Sequence, residues 1–302
     1  MSVIRNRPFV FSAAALFIVL TVGATAQEAR STSEPSGSES VRPPVATTTD
    51  DGDAAPVLAE PDFRVLNLPS TLRLPVHGSS FQLTHRFNGN LRRGSVGRNA
   101  GSLFGLDEGA AVGFEYRFGV ARHLQAAAYR TAIDKTFQFY GKYDAVRQSK
   151  AIPVSLSGLV SVEGADNFQE RYSPALGAAV SRTVADRLAV YATPVWVHNT
   201  AAILNLERDT VFVGIGGRVR VSSTVYLVGE VAPRAGGYRP DQAAYGFAIE
   251  KRAGGHVFQL NFSDSFATTY GQLARGGTRS PRADGSNGTD WYLGFNISRK
   301  FY

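Results

Sequence analysis

Charged residues recur at the polar positions of segments in which apolar and polar residues alternate. They are Arg86, Glu115, Arg117, Lys142, Asp144, Arg218, Arg220 and Glu230. Because successive side chains of a strand point to opposite faces, these residues share the face opposite the apolar one. Charges of both signs around one narrow lumen either select solutes by charge and size, or pair with one another and fill it. The spacing leaves both alternatives open.

Few residues have the spacing that catalysis or metal binding requires. Hydrolases built on membrane barrels pair a serine with a histidine, and His85 is the candidate because the alternation places it on the apolar face. No serine or carboxylate partner is identifiable from the spacing, and the other histidines are scattered singly. The chain contains no Cys, which excludes thiolate zinc sites and cysteine nucleophiles. We predict that the protein is not an enzyme and uses no cofactor or metal.

Three glycines at 214, 216 and 217 superficially resemble a nucleotide-binding loop. They lie within a predicted strand that no helix follows, whereas a phosphate-binding loop opens a helix. We therefore interpret them as small residues on the lumen side of that strand.

Alternation with a period of two residues continues from residue 79 to the end of the chain, as in Phe81, Gln82 and Leu83. The pattern predicts about twelve strands, at 79–87, 110–118, 123–130, 135–147, 151–163, 171–183, 187–198, 209–221, 224–233, 242–251, 256–263 and 289–301. A tilted strand needs about 9–11 residues to cross a membrane, and soluble strands average about 5–6. Strand length therefore favours a membrane barrel over a soluble lipocalin-like barrel or sandwich.

The predicted connections alternate between tight turns, such as 119–122 and 184–186, and longer loops, such as 88–109 and 264–288. Outer-membrane barrels have short periplasmic turns and long external loops. We predict an all-β, antiparallel, up-and-down transmembrane β-barrel of about twelve strands with both termini in the periplasm. Aromatic residues such as Trp196, Trp291 and Tyr245 then fall near the external strand ends, where an interfacial girdle is expected.

The first sixty residues differ in composition from the rest. Residues 1–26 combine Arg5 and Arg7, an apolar core and a small-residue cleavage pattern, which predicts a signal peptide. Residues 27–60 are rich in Ser, Thr, Pro and acidic residues, which predicts a disordered linker. The barrel is assigned to residues 61–302, with a short extra strand at 71–74 as an alternative.

Charge separates the same three zones. The signal peptide carries a charge of +2 and the linker a charge of −5. Because the whole chain has a net charge of +7, residues 61–302 carry +10. Export excludes nucleic acid as the partner of this basic body, and anionic lipid headgroups or solutes are the alternatives. We predict outer-membrane lipids, and small solutes, as partners. The terminal Lys300-Phe301-Tyr302 resembles the outer-membrane assembly signal, which adds the barrel-assembly machinery.

Five short segments carry a family resemblance: Leu68-Pro69-Ser70-Thr71, Thr84-His85-Arg86-Phe87, Leu103-Phe104-Gly105-Leu106-Asp107, Tyr129-Arg130 and Asp134-Lys135-Thr136. They resemble an uncharacterised family of bacterial outer-membrane β-barrel proteins, known mainly as a domain of unknown function. The resemblance covers about residues 62 to 302. It implies a barrel in the outer membrane of a Gram-negative bacterium and brings no activity or site residues.

Two functions follow as hypotheses. The first is a narrow, porin-like channel for small solutes, lined by the eight charged residues. The second is a structural or binding barrel with a filled lumen, whose long external loops, above all the Arg-rich stretch 275–282, hold a ligand or partner. A lipid-modifying enzyme that uses His85 is the third hypothesis.

Overall fold

A computed structural model of the protein describes residues 57–200, 209–238, 242–282 and 285–301. The predicted signal peptide and residues 27–56 of the predicted linker lie outside the described residues. Fifteen strands occur in the described ranges: β1 Ser79–Asn90, β2 Ala110–Ala121, β3 Leu124–Thr131, β4 Phe137–Val146, β5 Ser155–Gly164, β6 Glu170–Val184, β7 Leu188–Val197, β8 Thr210–Arg220, β9 Val225–Ala232, β10 Arg234–Gly237, β11 Ala244–Ala253, β12 His256–Ser263, β13 Arg279–Pro281, β14 Asn287–Thr289 and β15 Tyr292–Phe301.

Twelve of these strands form one closed antiparallel wall. They are all the strands except β10, β13 and β14. Within this set each strand pairs with the next one along the chain, and β1 pairs with β15 to complete the ring. At the seam Ser79 lies opposite Phe301, and on its other side opposite Phe118. A closed ring leaves no free sheet edge and satisfies the backbone hydrogen bonds in lipid. The predicted twelve-stranded, up-and-down barrel is confirmed.

The two ends of the wall differ. The connections 122–123, 147–154, 185–187, 221–224 and 254–255 lie together at what we name the short-turn end, and the others lie at the long-loop end. The alternation of connections is thus as predicted, but β5 begins at Ser155 rather than residue 151. Pro153 has no N–H to donate to a ladder, which favours a longer connection here.

Helical segments in the described ranges are short. They are α1 Val96–Gly101, α2 Ala165–Phe168 and α3 Tyr270–Arg275, with 3-10 segments at Leu103–Glu108 and Ile133–Lys135. None of the helices described is long and apolar enough to cross a membrane.

The outer surface of the wall is apolar. Large side chains such as Phe114, Leu176, Ile215, Phe247 and Leu260 are about half exposed there, while the residues next to each of them point inward. At the long-loop end Trp291 packs against Tyr245, with ring centroids 5.2 Å apart. This surface is the one that hydrocarbon covers, and the aromatic cluster marks one of its borders.

The chain before β1 lies inside the barrel. Val65 N–H donates to Leu68 C=O at 2.8 Å and Ser70 N–H donates to Phe63 C=O at 2.8 Å, which makes a tight antiparallel hairpin. Residues 57–75, named the inner hairpin, lead in from the short-turn end and return to it, because His77 N–H donates to Gly119 C=O near the end of β2. Leu66 and Asn67 form the tip.

Two sequence predictions are wrong at this point. Residues 71–74 add no strand to the wall, since they form the returning arm of the inner hairpin. Residues 57–60, assigned to the disordered linker, are packed into the lumen, where Ala59 and Glu60 are 1% and 4% exposed. Composition alone did not predict this burial, because residues 57–60 adjoin a polar, Pro-containing stretch.

A second segment fills the lumen from the opposite end. Residues 264–278, named the inner loop, carry α3, in which Tyr270, Leu273 and Ala274 are buried. The sequence places this stretch in a long external loop, and that expectation is wrong for its first half. The apolar side chains at 270 and 273 explain the difference, because they pack against the inner hairpin's core rather than face water.

Candidate functional site

The eight charged residues predicted to line the lumen do not face an open pore. Seven of them, all except Arg220, are buried inside the barrel, and Lys142 and Arg218 have no exposed surface. Arg220 is half-buried at the short-turn end, where its guanidinium donates to Ser223 C=O at 3.2 Å. Most of the seven contact the inner hairpin, so the lumen is a binding site occupied by the chain itself.

Glu230 of β9 holds the tip of the inner hairpin. Its carboxylate accepts the backbone N–H groups of Leu66, Asn67 and Leu68 at 3.0–3.1 Å, and the side-chain amide of Asn67 at 2.8 Å. A tight turn aims several N–H groups at one point, and a carboxylate there accepts charge-assisted hydrogen bonds. The geometry makes Glu230 the receptor for the tip.

Arg64 of the inner hairpin meets an ion-pair cluster on the wall. Its guanidinium donates to Glu115 Oε2 from Nε, at 3.0 Å, and from Nη2. Arg117 donates to the other oxygen, Glu115 Oε1, at 2.8 Å, and to Gln125 at 2.9 Å. One carboxylate therefore balances two buried guanidiniums, one from the hairpin and one from the wall. Losing that carboxylate would leave both buried guanidiniums without a counter-charge.

The returning arm of the inner hairpin is held by Lys142 of β4. Its ammonium donates to Leu72 C=O at 2.7 Å and Ser70 C=O at 3.1 Å, and pairs with Asp144 Oδ1 at 3.0 Å. Gln125 bridges Asp144, at 2.9 Å, and the same Leu72 carbonyl. These contacts satisfy carbonyl groups that the hairpin presents outward.

The carbonyls just before the tip have their own donors. Arg218 donates to Arg64 C=O at 2.8 Å and pairs with Glu250 at 3.0 Å, while Gln259 donates to Val65 C=O at 2.8 Å. On the seam side, Arg86 donates to the Asn67 side-chain oxygen at 3.0 Å. The wall therefore binds the hairpin backbone from several strands, as a peptide-binding site would.

Wall glycines make room for the tip. A Cβ at Gly246 would lie 2.7 Å from Leu66 Cδ2, and one at Gly216 would lie 3.1 Å from Val65 Cγ1. A Cβ at Gly214 would lie 2.5 Å from Leu68 Cδ2. The predicted lumen-side position of Gly214 and Gly216 agrees with this close approach, and their small size admits the apolar side chains of the hairpin. The same prediction is wrong for Gly217, which the strand alternation turns outward.

The inner loop touches the inner hairpin and packs into the other end of the lumen. Arg64 Nη1 donates to Thr268 C=O at 3.1 Å, and Gly271 N–H donates to Glu163 at 3.1 Å. Asp264, at the root of the loop, accepts Tyr245 N–H at 2.9 Å. Burial nevertheless raises the pKa of Asp264 to about 6, so this anchor is charged at neutral pH and protonates in mildly acidic medium.

An apolar core also lies in the lumen, which the alternation did not predict. It joins Val65, Leu66 and Leu68 to inward-facing Tyr191, Phe212, Tyr226 and a series of alanines on β6 to β11. The sequence signal was available in the six apolar residues of 63–74, Phe63, Val65, Leu66, Leu68, Leu72 and Leu74, which belong to no predicted wall strand. Such a density of apolar side chains needs a place to be buried.

The histidine considered for catalysis is in an aromatic setting. The His85 ring stacks on Phe295 at 4.7 Å between centroids and lies 4.5 Å from that of Phe87, on the outer face of the wall. Within the described ranges, no group of three or more Asp, Glu or His side chains could hold a metal ion.

A comparison with protein-family models identifies the family of the chain. The model described as "Membrane bound beta barrel domain (DUF5777)" matches residues 62–301. The chain belongs to this family. The predicted resemblance to a membrane barrel family of unknown function is thereby confirmed. Because the match begins at residue 62, the membrane bound beta barrel domain includes the tip of the inner hairpin as well as the wall.

Comparisons with individual proteins give only distant similarity. This membrane bound beta barrel domain is similar to KdgM porin, with a TM-score of 0.47, 8% identity, and coverage of 74% of this chain and 99% of that one. NanC porin gives a TM-score of 0.45 with 8% identity over 74% of this chain and 100% of that one. A mutant of Rh. blastica porin gives 0.32 with 12% identity over 63% and 55%. No curated protein matches the chain.

Proposed function

We propose that the protein is a small-solute channel whose resting state is closed by its own N-terminal segment. The carrying observation is the capture of the inner hairpin's tip by Glu230, which accepts three successive backbone N–H groups. The alternative of a permanently filled, structural barrel shares this resting state. The two differ in whether the hairpin leaves the lumen.

The polar character of the wall supports reversible closure. The hairpin is held by Glu115, Lys142, Arg218 and Glu230, whose groups water can hydrate once the hairpin withdraws. A permanent plug is stabilised equally well by apolar packing, without the desolvation of several charges. After withdrawal these charged groups can line a water-filled pore on their side of the wall. The apolar side chains of Tyr191, Phe212 and Tyr226 face the same lumen on the other side.

The setting of this channel is part of the proposal. We place the protein in the outer membrane of a Gram-negative bacterium, with the short-turn end and both termini in the periplasm and lipid around the wall. In this orientation the inner hairpin enters from the periplasmic side. The barrel-assembly machinery would recognise the C-terminal strand, β15, and we assign no catalytic role to any residue.

The Glu230→Gln variant tests the proposal. The substituted amide keeps one acceptor oxygen but turns an NH₂ group toward the N–H groups of the tip, so about 2 kcal/mol of charge-assisted bonding is lost. That loss is worth about a 30-fold rise in the open fraction. In planar bilayers we expect wild-type protein at leak level and brief, repeated openings from the variant.

The matched control is Glu170→Gln, which removes the same charge from a side chain that is 57% exposed and pairs with Arg171 outside the lumen. It should behave as the wild type does. A Glu230→Gln protein that is folded and remains at leak level across salts would favour the permanently filled barrel. Steady conductance from the wild type would contradict a closed resting state.

A further inference from the structure

A cavity of about 330 Å³ opens among the loops at the long-loop end, away from the lumen. Its lining includes Arg92 and Arg93, which follow β1, and Arg282, which follows β13. Three arginines from two separate loops thus border one space. The loops are brought together by the barrel seam, where β1 pairs with β15.

The carboxylate in this cavity is already engaged by neutral groups. Asp290 is 4% exposed and accepts hydrogen bonds from Ser280 Oγ, at 2.8 Å, and from the Asn90 amide. Arg93 donates to the same Ser280 hydroxyl at 2.6 Å. The ion pairs found among the described residues include none of the three arginines. The cavity therefore keeps an uncompensated positive charge.

The local geometry keeps one guanidinium in place. A Cβ at Gly288 would lie 2.0 Å from Arg282 Nε, so the Arg282 side chain lies directly over the glycine. The Arg282 backbone N–H donates to Ser286 C=O at 2.7 Å, which closes the turn between β13 and β14. The arginine is thus presented from a paired ribbon, a more rigid support than an isolated loop.

The charge and the position together select a ligand. Three arginines and one aspartate leave a net charge of +2, which matches a phosphate monoester with its charge of about −1.5 to −2 at neutral pH. Guanidinium groups bind phosphate oxygens bidentately. The Trp291 backbone N–H donates to Asn90 Oδ1 at 3.2 Å, and Asn90 lines the cavity. The cavity therefore adjoins the Trp291–Tyr245 cluster that borders the hydrocarbon. Lipid headgroups lie at that level.

We infer that this cavity, the rim arginine site formed by Arg92, Arg93 and Arg282, binds the phosphate monoester of a lipid headgroup. The ligand chemistry is that of phosphate, and the adjoining aromatic border favours a lipid over a free ion as its source. The inference does not depend on the state of the lumen.

Trp291 provides the readout. In a Trp196→Phe background, which leaves Trp291 as the sole tryptophan, the full-length protein is reconstituted with lipids that carry brominated acyl chains, which quench tryptophan on contact. Brominated phosphatidic acid presents a phosphate monoester, and brominated phosphatidylcholine does not. We expect phosphatidic acid to quench Trp291 at a mole fraction several-fold lower. Changing Arg92 and Arg282 together to Gln should weaken the apparent affinity by at least about tenfold.

The control changes Arg122 and Arg187 to Gln, which removes the same charge from exposed residues of the short-turn end and should preserve the preference. Equal quenching by the two lipids, or a preference that survives in the Arg92 and Arg282 variant, would overturn the proposal. A calorimetric titration with inorganic phosphate in detergent separates the two sources. Saturable phosphate binding that the same variant abolishes, without lipid preference, would assign the site to a free ion and overturn the lipid assignment.

Discussion

Replacing residues 60–74 with a short Gly/Ser linker is expected to turn a closed barrel into one that conducts continuously. The replacement removes most of the inner hairpin, including its apolar tip and Arg64, while the twelve wall strands keep their pairing. Water then reaches the wall charges that the hairpin contacts. In planar bilayers the mean conductance should rise at least tenfold over that of the wild type, a larger effect than loosening the tip alone.

The opened pore should discriminate weakly between cations and anions. Buried wall charges of the two signs are nearly equal in number in the described ranges, and the half-buried Lys300 adds one further positive charge. The buried ones are Arg86, Arg117, Lys142 and Arg218 against Glu115, Asp144, Glu163, Glu230 and Glu250. A balanced lining gives a reversal potential near zero in a salt gradient. Deletion of residues 31–45, which lie outside the described ranges, is the control for shortening the chain and should leave the barrel closed. A hairpin deletion that folds and stays closed would assign closure to the inner loop instead.

Glu115→Gln is expected to cause the largest loss of stability of any single substitution in the lumen. Glu115 balances Arg64 and Arg117, whose side chains are 6% and 1% exposed, so its neutralisation leaves two buried cations facing each other. Removing one partner of a buried ion pair costs about 3–5 kcal/mol. The midpoint of urea unfolding, followed by heat-modifiable gel mobility, should fall accordingly.

A second substitution separates electrostatics from packing. Adding Arg64→Met to Glu115→Gln removes one of the two stranded cations, so the double variant should be more stable than Glu115→Gln alone. Asp166→Asn serves as the exposed comparison, since its pair with Lys135 lies in solvent with side chains 47% and 61% exposed. An unchanged midpoint in Glu115→Gln would show that the cluster contributes nothing to the fold.

The wall could be predicted from the sequence because its rule is local. Alternation at residues such as Phe81, Gln82 and Leu83 fixes both the strand and the side of the barrel that each residue faces. The inward direction of Glu115, Arg218 and Glu230 followed from the same rule. Strand ends were less predictable, since β1 continues to Asn90, three residues past the last clear alternation.

The content of the lumen could not be predicted in the same way. The inner hairpin has no period of its own, because its side chains are placed by contacts distant in sequence, such as Glu230 with Asn67. Tyr191 and Phe212 also point inward. A rule that sends every large apolar side chain to lipid would place both on the outer face. The inner hairpin and the inner loop enter the same lumen from opposite ends, and this relation depends on the three-dimensional closure of the barrel.

A single engineered disulfide tests most directly whether the inner hairpin occupies the lumen. The Gly216 Cβ position lies 3.1 Å from Val65 Cγ1, and in a disulfide each sulfur lies about 3 Å from the partner's Cβ. The chain has no other cysteine. The Val65→Cys, Gly216→Cys variant should therefore lose both free thiols on folding and oxidation. Pairing Val65→Cys with Gly217→Cys, on the outward face, should give no bridge. Free thiols in the first variant, or equal bridging in both, would contradict the account.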